Sequence, residues 1–313
     1  MAKVVDAHLH EFATRHQVEG LSPTSLHALS QGKSGYSVDK AQRFLAFRKR
    51  IDKELLRHAV IVDNHYCRWF ENGELNKEQV RAFVVQFSVF SNLFLIAQLQ
   101  KTINADSLEG MRASKEILAN EIGVIFRSPK PALQASSGNL DHEGDPELVS
   151  TEGTVENGTF RFRAAHFEWL LRIAEKLDLG FNDVGKRRHG SKSTLFFCDE
   201  LVRLYGNEDY LISQAASFAV ENWAAAGFWD QLVNGLSRYN ERTGSQLPLA
   251  FFIWHARLEA QHAAHTQEEL EELYFSRDIN EGDFIGYGNE MLNGVAAFWD
   301  GLEMQRKQLI IAT

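Results

Sequence analysis

The chain has 313 residues, 44% of them hydrophobic and 24% charged, with 33 Lys plus Arg against 42 Asp plus Glu. A chain near this length makes one large domain or two ordinary ones and hides roughly 75% of its unfolded surface. The formal net charge of −9 argues against non-specific nucleic-acid binding and an anionic membrane surface, and two cysteines, Cys67 and Cys198, are too few for a disulfide framework or a four-cysteine metal site.

Residues 1–35 show little periodicity and read as an N-terminal arm. Its start, MAKVVDAHLHEF, lacks the apolar core of a signal peptide, and the two cysteines fit a reducing, cytoplasmic setting. His8 and His10 form an HxH of the kind used by barrel metallohydrolases. No alternation of strands and helices follows, so the pair is read as part of an unstructured arm.

Residues 36–313 read as one all-α domain of about seven helices. Apolar residues recur at three- and four-residue spacing, and proline is absent from 24–128 and 147–247. The first predicted helix covers 38–70, with a break near Asn64. The second covers 77–103, with Asn76 as its N-cap. Its segment FVVQFSVFSNLFLIAQL carries Gln86, Ser88, Ser91, Asn92 and Gln98, too many polar groups for a span of about 20 mainly apolar residues. It reads as a buried core helix, and no membrane partner is expected. The third covers 107–123. The polar stretch 127–158 holds three of the five prolines, shows no periodicity and reads as a long loop or insertion. Further helices are predicted over 161–177, 194–205, 208–243, 248–275 and 283–311.

The segment LPLAFFIWHARLEAQHAAH carries the chemistry. His255, Glu259 and His262 stand at i, i+4 and i+7, within roughly 60° of one another on a helix of about 100° per residue. Two imidazoles and a carboxylate on an apolar helix need partners if buried, and a metal ion such as Fe, Mn or Zn is one solution. A solvated face with i, i+4 pairing is the plainer one. No HExxH occurs, so a zinc-protease site is unsupported. Other helices must complete a bundle site. Glu121 sits among Ile117, Leu118 and Ile122. Glu221 is the only charged residue between Tyr210 and Asp230, and His166 lies in RAAHFEWLL. Each alone also fits a solvated or hydrogen-bonded structural role. A ferritin-like bundle needs two Glu-x-x-His motifs, and only Glu259 to His262 is present.

These residues resemble the haem-oxygenase-like dimetal oxidases and oxygenases, helical relatives of the PqqC, TenA and CADD proteins. The resemblance runs over 36–313. It rests on NHYCRWFENGELNKEQVRAFVVQFSVFSNLFL, on the closing MLNGVAAFWDGL, and on the order Glu121, His166, Glu221, His255, Glu259, His262. In the family the first Glu and first His are often close in sequence; here 127–158 separates them, and His142 inside it is a competing imidazole. The resemblance implies a haem-oxygenase-like bundle, those six side chains holding two iron ions (manganese the alternative), and O2 as cosubstrate. It implies a non-haem di-iron oxidase or oxygenase acting on a small amino-acid, amine or carboxylic-acid type of substrate. A homodimer is the family expectation. Two other readings stand beside it: a metal-free PqqC- or TenA-like enzyme, the latter with Cys198 or Cys67 as nucleophile, and a non-enzymatic helical binding module. The enzyme reading predicts all six side chains in one cavity.

Two further features have bland and functional readings. The basic loop Lys186, Arg187, Arg188, His189 and Lys192 offers a place for a carboxylate, phosphate or carrier-linked substrate, or is simply solvated. Phe87, Phe90 and Phe94 line a substrate pocket or form a core stripe.

Overall fold

A computed structural model describes the backbone of residues 2–127, 151–155, 158–162 and 164–311. Within these, the side chains of 2–7, 109, 125–127, 151–155, 158–162, 258–265 and 310–311 lie outside the description. The architecture is all-α, with thirteen α-helices among the described residues and one small sheet.

The helices run α1 Ala2–His16, α2 Pro23–Ser30, α3 Val38–Glu54, α4 Ala59–Val62, α5 His65–Glu71, α6 Lys77–Ile103, α7 Leu108–Glu121, α8 His166–Glu175, α9 Lys192–Glu200, α10 Tyr210–Ala224, α11 Phe228–Thr243, α12 Ala250–Ser276 and α13 Glu281–Ile311. The strands are β1 Val124–Arg127, β2 Thr151–Val155 and β3 Gly158–Phe162, antiparallel in the order β1-β3-β2.

α6 is the central helix, flanked by α7, α8, α9 and α13. Asn76 and Gln79 close a reciprocal capping box that fixes its start. By length and hydropathy it is able to cross a membrane, contrary to the expectation from its polar residues, yet half of its most apolar window is buried in the fold. Those polar residues bind neighbouring elements. Gln86 accepts from Ser191 N at 2.8 Å and donates to His189 O at 2.9 Å. Gln98 donates to Ser114 O at 2.7 Å and accepts from Tyr205 OH at 2.7 Å. Asn92 donates to Gly185 O at 2.8 Å. Buried amides paired in this way avoid the desolvation cost of an unsatisfied group and lock α6 in register.

The structure refines the expectations in three places. Residues 1–35 are not an unstructured arm: α1 and α2 lie there, and Ala13, Val18 and Leu21 are buried in the main core. The N-cap Ser22 of α2 is gripped by the buried Glu271 of α12, which accepts from Ser22 N at 3.0 Å and Oγ at 2.7 Å. His8 and His10 are exposed or nearly so on α1. The stretch 127–158, expected as a long loop or insertion between two helices, is strand where it is described: it begins at the end of β1 and contains β2 and the start of β3. Residues 128–150, with His142, lie outside the described residues. Finally, predicted helices are subdivided. The segment 38–70 breaks at Asn64, the N-cap of α5, as expected, and also after Glu54, which separates α3 from α4; 208–243 is cut into α10 and α11 at Gly227, whose φ of 87° ends one helix and starts the next. α9 runs into a π-helical turn at Leu201–Tyr205.

Candidate metal centre

The register of the small sheet brings together two side chains far apart in sequence. Gly123, at φ 74°, stops α7 two residues after Glu121 and turns the chain into β1. Val124 of β1 pairs with Phe162 of β3. Four residues after Phe162, His166 opens α8, whose start is fixed by Glu168 accepting from Ala165 N at 2.9 Å. Glu121 and His166 therefore meet although 45 residues separate them, with Glu121 Oε2 2.9 Å from His166 Nδ1. A carboxylate only accepts, so the proton lies on Nδ1 and the Nε2 lone pair is left to act as a ligand.

α12 supplies the third group. His255 Nδ1 donates to the Phe251 carbonyl at 2.7 Å, one helical turn back, which again leaves Nε2 as the ligand nitrogen. The imidazoles of His166 and His255 have ring centroids 4.9 Å apart. Glu121, His166 and His255 each offer a ligand atom, all within 4.8 Å of one another, and both histidines are buried. Two imidazoles and a carboxylate suit Fe, Mn or Zn.

Aromatic rings surround the imidazoles. Trp229 stacks on His255 with centroids 4.5 Å apart and planes 18° apart, and Trp254 stands edge-on to His166 at 4.7 Å. Such a wall excludes water and strengthens every electrostatic interaction inside it.

The cluster lines a cavity of about 120 Å³. α6 contributes Phe87, Phe90, Ser91 and Phe94 to it, α7 Ile117, Asn120 and Glu121, and α10 Val220, Glu221, Trp223 and Ala224. α11 contributes Trp229, and α12 Phe251, Trp254 and His255. Glu221 thus stands on the same cavity as the other three. Glu259 and His262 follow His255 on α12, but their side chains lie outside the described residues. Four of the six expected ligands therefore line one cavity. The three phenylalanines of α6 serve both expected roles, since Phe87 is fully buried core and all three line the cavity. Nothing in the sequence alone singled out Trp229, Trp254, Ser91 or Asn120. The apolar i, i+3, i+4 company of Glu121 and His255 was the available signal.

The half-buried Lys101 ammonium reaches Ser217 Oγ of α10 and lies 4.3 Å over the Tyr205 ring. Burial lowers its pKa, opposed by the negative charges of Glu221 and Glu269. Burial, with Glu221 and Glu269 next in weight, raises the Tyr205 phenol well above its ordinary range.

The basic loop is not part of this cavity. Arg187 pairs with Asp199 at 2.7 Å, Arg188 and His189 bind Asn182 O, and Lys186 lies 4.2 Å over Phe181. Cys67 and Cys198 are also elsewhere and buried, and burial raises both thiols, Cys198 to about 12, so neither is poised as a nucleophile.

No protein-family model matches the sequence, and no curated protein matches it. Among solved structures, a domain of unknown function from Shewanella denitrificans, described as having a heme oxygenase-like fold, matches with a TM-score of 0.53 and 13% sequence identity. The match covers 86% of this chain and 93% of that domain. The fold is haem-oxygenase-like. At that identity the likeness speaks for the fold alone, and the chemistry has to be argued from the side chains.

Proposed function

We propose that this chain is a non-haem di-iron oxidase or oxygenase that uses O2 on a small organic substrate. The observation that carries the reading is the approach of Glu121, His166 and His255 ligand atoms to within 4.8 Å in the lining of an aromatic cavity. The donor set fits iron, and Glu221, Glu259 and His262 would complete it from the same cavity and helix. Bound iron would supply the means to reduce and activate O2.

The chain's own residues have four tasks. Glu121 holds the His166 ring through Nδ1, and the Phe251 carbonyl holds His255, so neither imidazole must reorganise to present Nε2. Trp229 and Trp254 keep bulk water from the ligand face. The α6 phenylalanines give the substrate an apolar bed. Lys101, whose charge interacts with that of Glu221, offsets part of the negative charge gathered at the site.

Anaerobic loading with Fe(II), followed by iron counting and O2 uptake, tests the reading. About two irons per chain are expected, with loss of iron in His255→Ala and Glu221→Ala. Fewer than about one iron per chain, unchanged by either substitution, overturns it.

One observation favours a second reading. The Glu121–His166 hydrogen bond satisfies both groups without a metal, as an acid–base pair in a metal-free PqqC-like enzyme would require. That reading predicts substrate turnover by chelator-treated protein.

A further inference from the structure

The connection between α8 and α9 is basic in an acidic chain. Residues 176–191 hold Lys176, Lys186, Arg187 and Arg188 against Asp178 and Asp183, and Lys192 opens α9, in a chain of net charge −9. Asp178 is paired with Lys77, and Arg187 with Asp199. Lys176, Lys186, Arg188 and Lys192 have no acidic partner among the described residues, and the carboxylates nearest in the chain are Asp183 and Glu175. Part of this charge converges on one spot. Arg188 and His189 donate to the Asn182 carbonyl at 2.9 and 2.7 Å, and the Lys186 ammonium lies 4.2 Å over the exposed ring of Phe181. The spot is also fastened to the core. Gly185 donates to Ser88 Oγ at 3.0 Å and accepts from Asn92 at 2.8 Å, both on α6. A Cβ on Gly185 would lie 2.1 Å from Phe167 Cε2, so the turn presses bare backbone against that ring.

We propose that this face receives a small acidic electron-transfer protein, an iron–sulfur protein of the ferredoxin class, which reduces the metal centre from outside the substrate cavity. The proposal rests on the di-iron reading and names the kind of electron donor it takes. In each encounter the donor's reduced cluster gives up one electron and one Fe(III) becomes Fe(II), so two encounters reduce a pair.

Three arguments favour it. The first is charge: unpaired cations around an exposed aromatic ring steer an acidic partner and fix its orientation. Electron-transfer encounters are small, below about 1,200 Å², so a compact patch suffices. The second is the route inward. Phe181 stands edge-on to Phe167 with centroids 5.8 Å apart, and Phe167 is bonded in the chain to His166, one of the three clustered ligands. An electron needs a short packed path and no opening. The third argument separates this partner from a carrier protein, which would also be acidic. A tethered substrate must enter the cavity, and no residue of 176–192 lines it.

Binding of oxidised plant-type ferredoxin to the full, iron-free chain is the first test, with an acyl-carrier protein as the acidic comparison. Ferredoxin affinity should fall at least about tenfold between about 20 and about 200 mM salt. A Lys186→Glu/Arg188→Glu double variant should lose at least about tenfold at low salt, and Lys49→Glu, an exposed position on α3, should lose nothing. The wild-type salt response needs no variant to fold. Stopped-flow reduction of the Fe(III)-loaded chain by reduced ferredoxin is the second test. The double variant should slow it at least about tenfold, while dithionite, which needs no docking face, reduces both proteins equally fast. The proposal is overturned if ferredoxin does not bind at low salt, if salt and the double variant leave its binding unchanged, or if the carrier protein binds as tightly. Iron counting is independent of the binding test. Normal iron loading without ferredoxin binding sinks the donor site alone. Salt-sensitive ferredoxin binding by a chain that takes up no iron sinks the di-iron reading and leaves the docking face standing.

Discussion

Glu121 Oε2 and His166 Nδ1 lie 2.9 Å apart, on the last turn of one helix and the first of the next. Glu121 is therefore in position to ligate a metal itself or to orient His166 from behind. The two roles separate under substitution. Glu121→Gln keeps an acceptor for the imidazole N–H but loses the negative ligand; Glu121→Ala loses both. The expected result is that both variants lose iron affinity to a similar extent, by at least about tenfold, measured by competition with a chelator. Near-normal affinity in Glu121→Gln with loss in Glu121→Ala would make Glu121 the positioning residue.

The pairing of Glu121 with His166 depends on the β1–β3 ladder, and the ladder can be broken locally. Phe160 of the central strand β3 faces Phe126 on one side and Gly153 on the other. Proline there cannot donate to the ladder and distorts it. Phe160→Pro should lower iron affinity while far-UV helicity stays close to wild type, because the strands pair with one another and not with the helices' own hydrogen bonds. A variant that binds iron normally would show that the helices alone set the ligand distance.

The site was more legible than its supports. α6 falls on the predicted 77–103 because Asn76 and Gln79 announce its start, and the His255 and Glu121 spacings survive because helical periodicity is local. The sheet was missed although Asn157-Gly158 is a hairpin signal and Thr159 to Phe162 alternates polar and aromatic residues. Prolines and polar residues around it outweighed those few positions. The α10–α11 break has only Gly227 to mark it inside an otherwise helical run. α1 and α2 owe their place to distant partners, above all Glu271, and long-range contacts leave no periodic trace in the sequence.

The Ser22–Glu271 clasp tests how firmly that N-terminal pair belongs to the fold. Glu271 is 5% exposed and accepts from both the backbone and the hydroxyl of Ser22, 249 residues away. Hydrogen bonds to a charged partner contribute roughly 1.5–3 kcal/mol. Glu271→Ala should lose about that much in chemical denaturation, and Glu271→Gln less, since one acceptor remains. An unchanged midpoint for Glu271→Ala would mean that α1 and α2 are only loosely attached to α12.

Alkaline pH probes the core as a whole. Burial holds six groups in their protonated form beyond their ordinary range. They are Cys67 and Cys198, normally near 9.0, and Tyr66, Tyr205, Tyr210 and Tyr274, normally near 10.0. Unfolding lets each ionise at its ordinary value, so above about pH 9 the unfolded chain binds fewer protons and stability falls as pH rises. Lys101 works in the opposite sense. Its pKa is lowered in the fold, so the unfolded chain holds a proton the native state gives up, and this favours the fold as pH rises toward 10.5. Six groups against one decide the sign. Each proton of difference is worth about 1.4 kcal/mol per pH unit, and the two thiols act first, between about pH 9 and 10. Urea midpoints should therefore drop through that interval, and drop less steeply in a Cys67→Ala/Cys198→Ala double variant. Both thiols should also resist a thiol reagent at pH 8 until the chain is unfolded, because each is buried as well as protonated. Rapid labelling of the native protein would instead place at least one of them within reach of solvent and reopen the reading with a cysteine nucleophile.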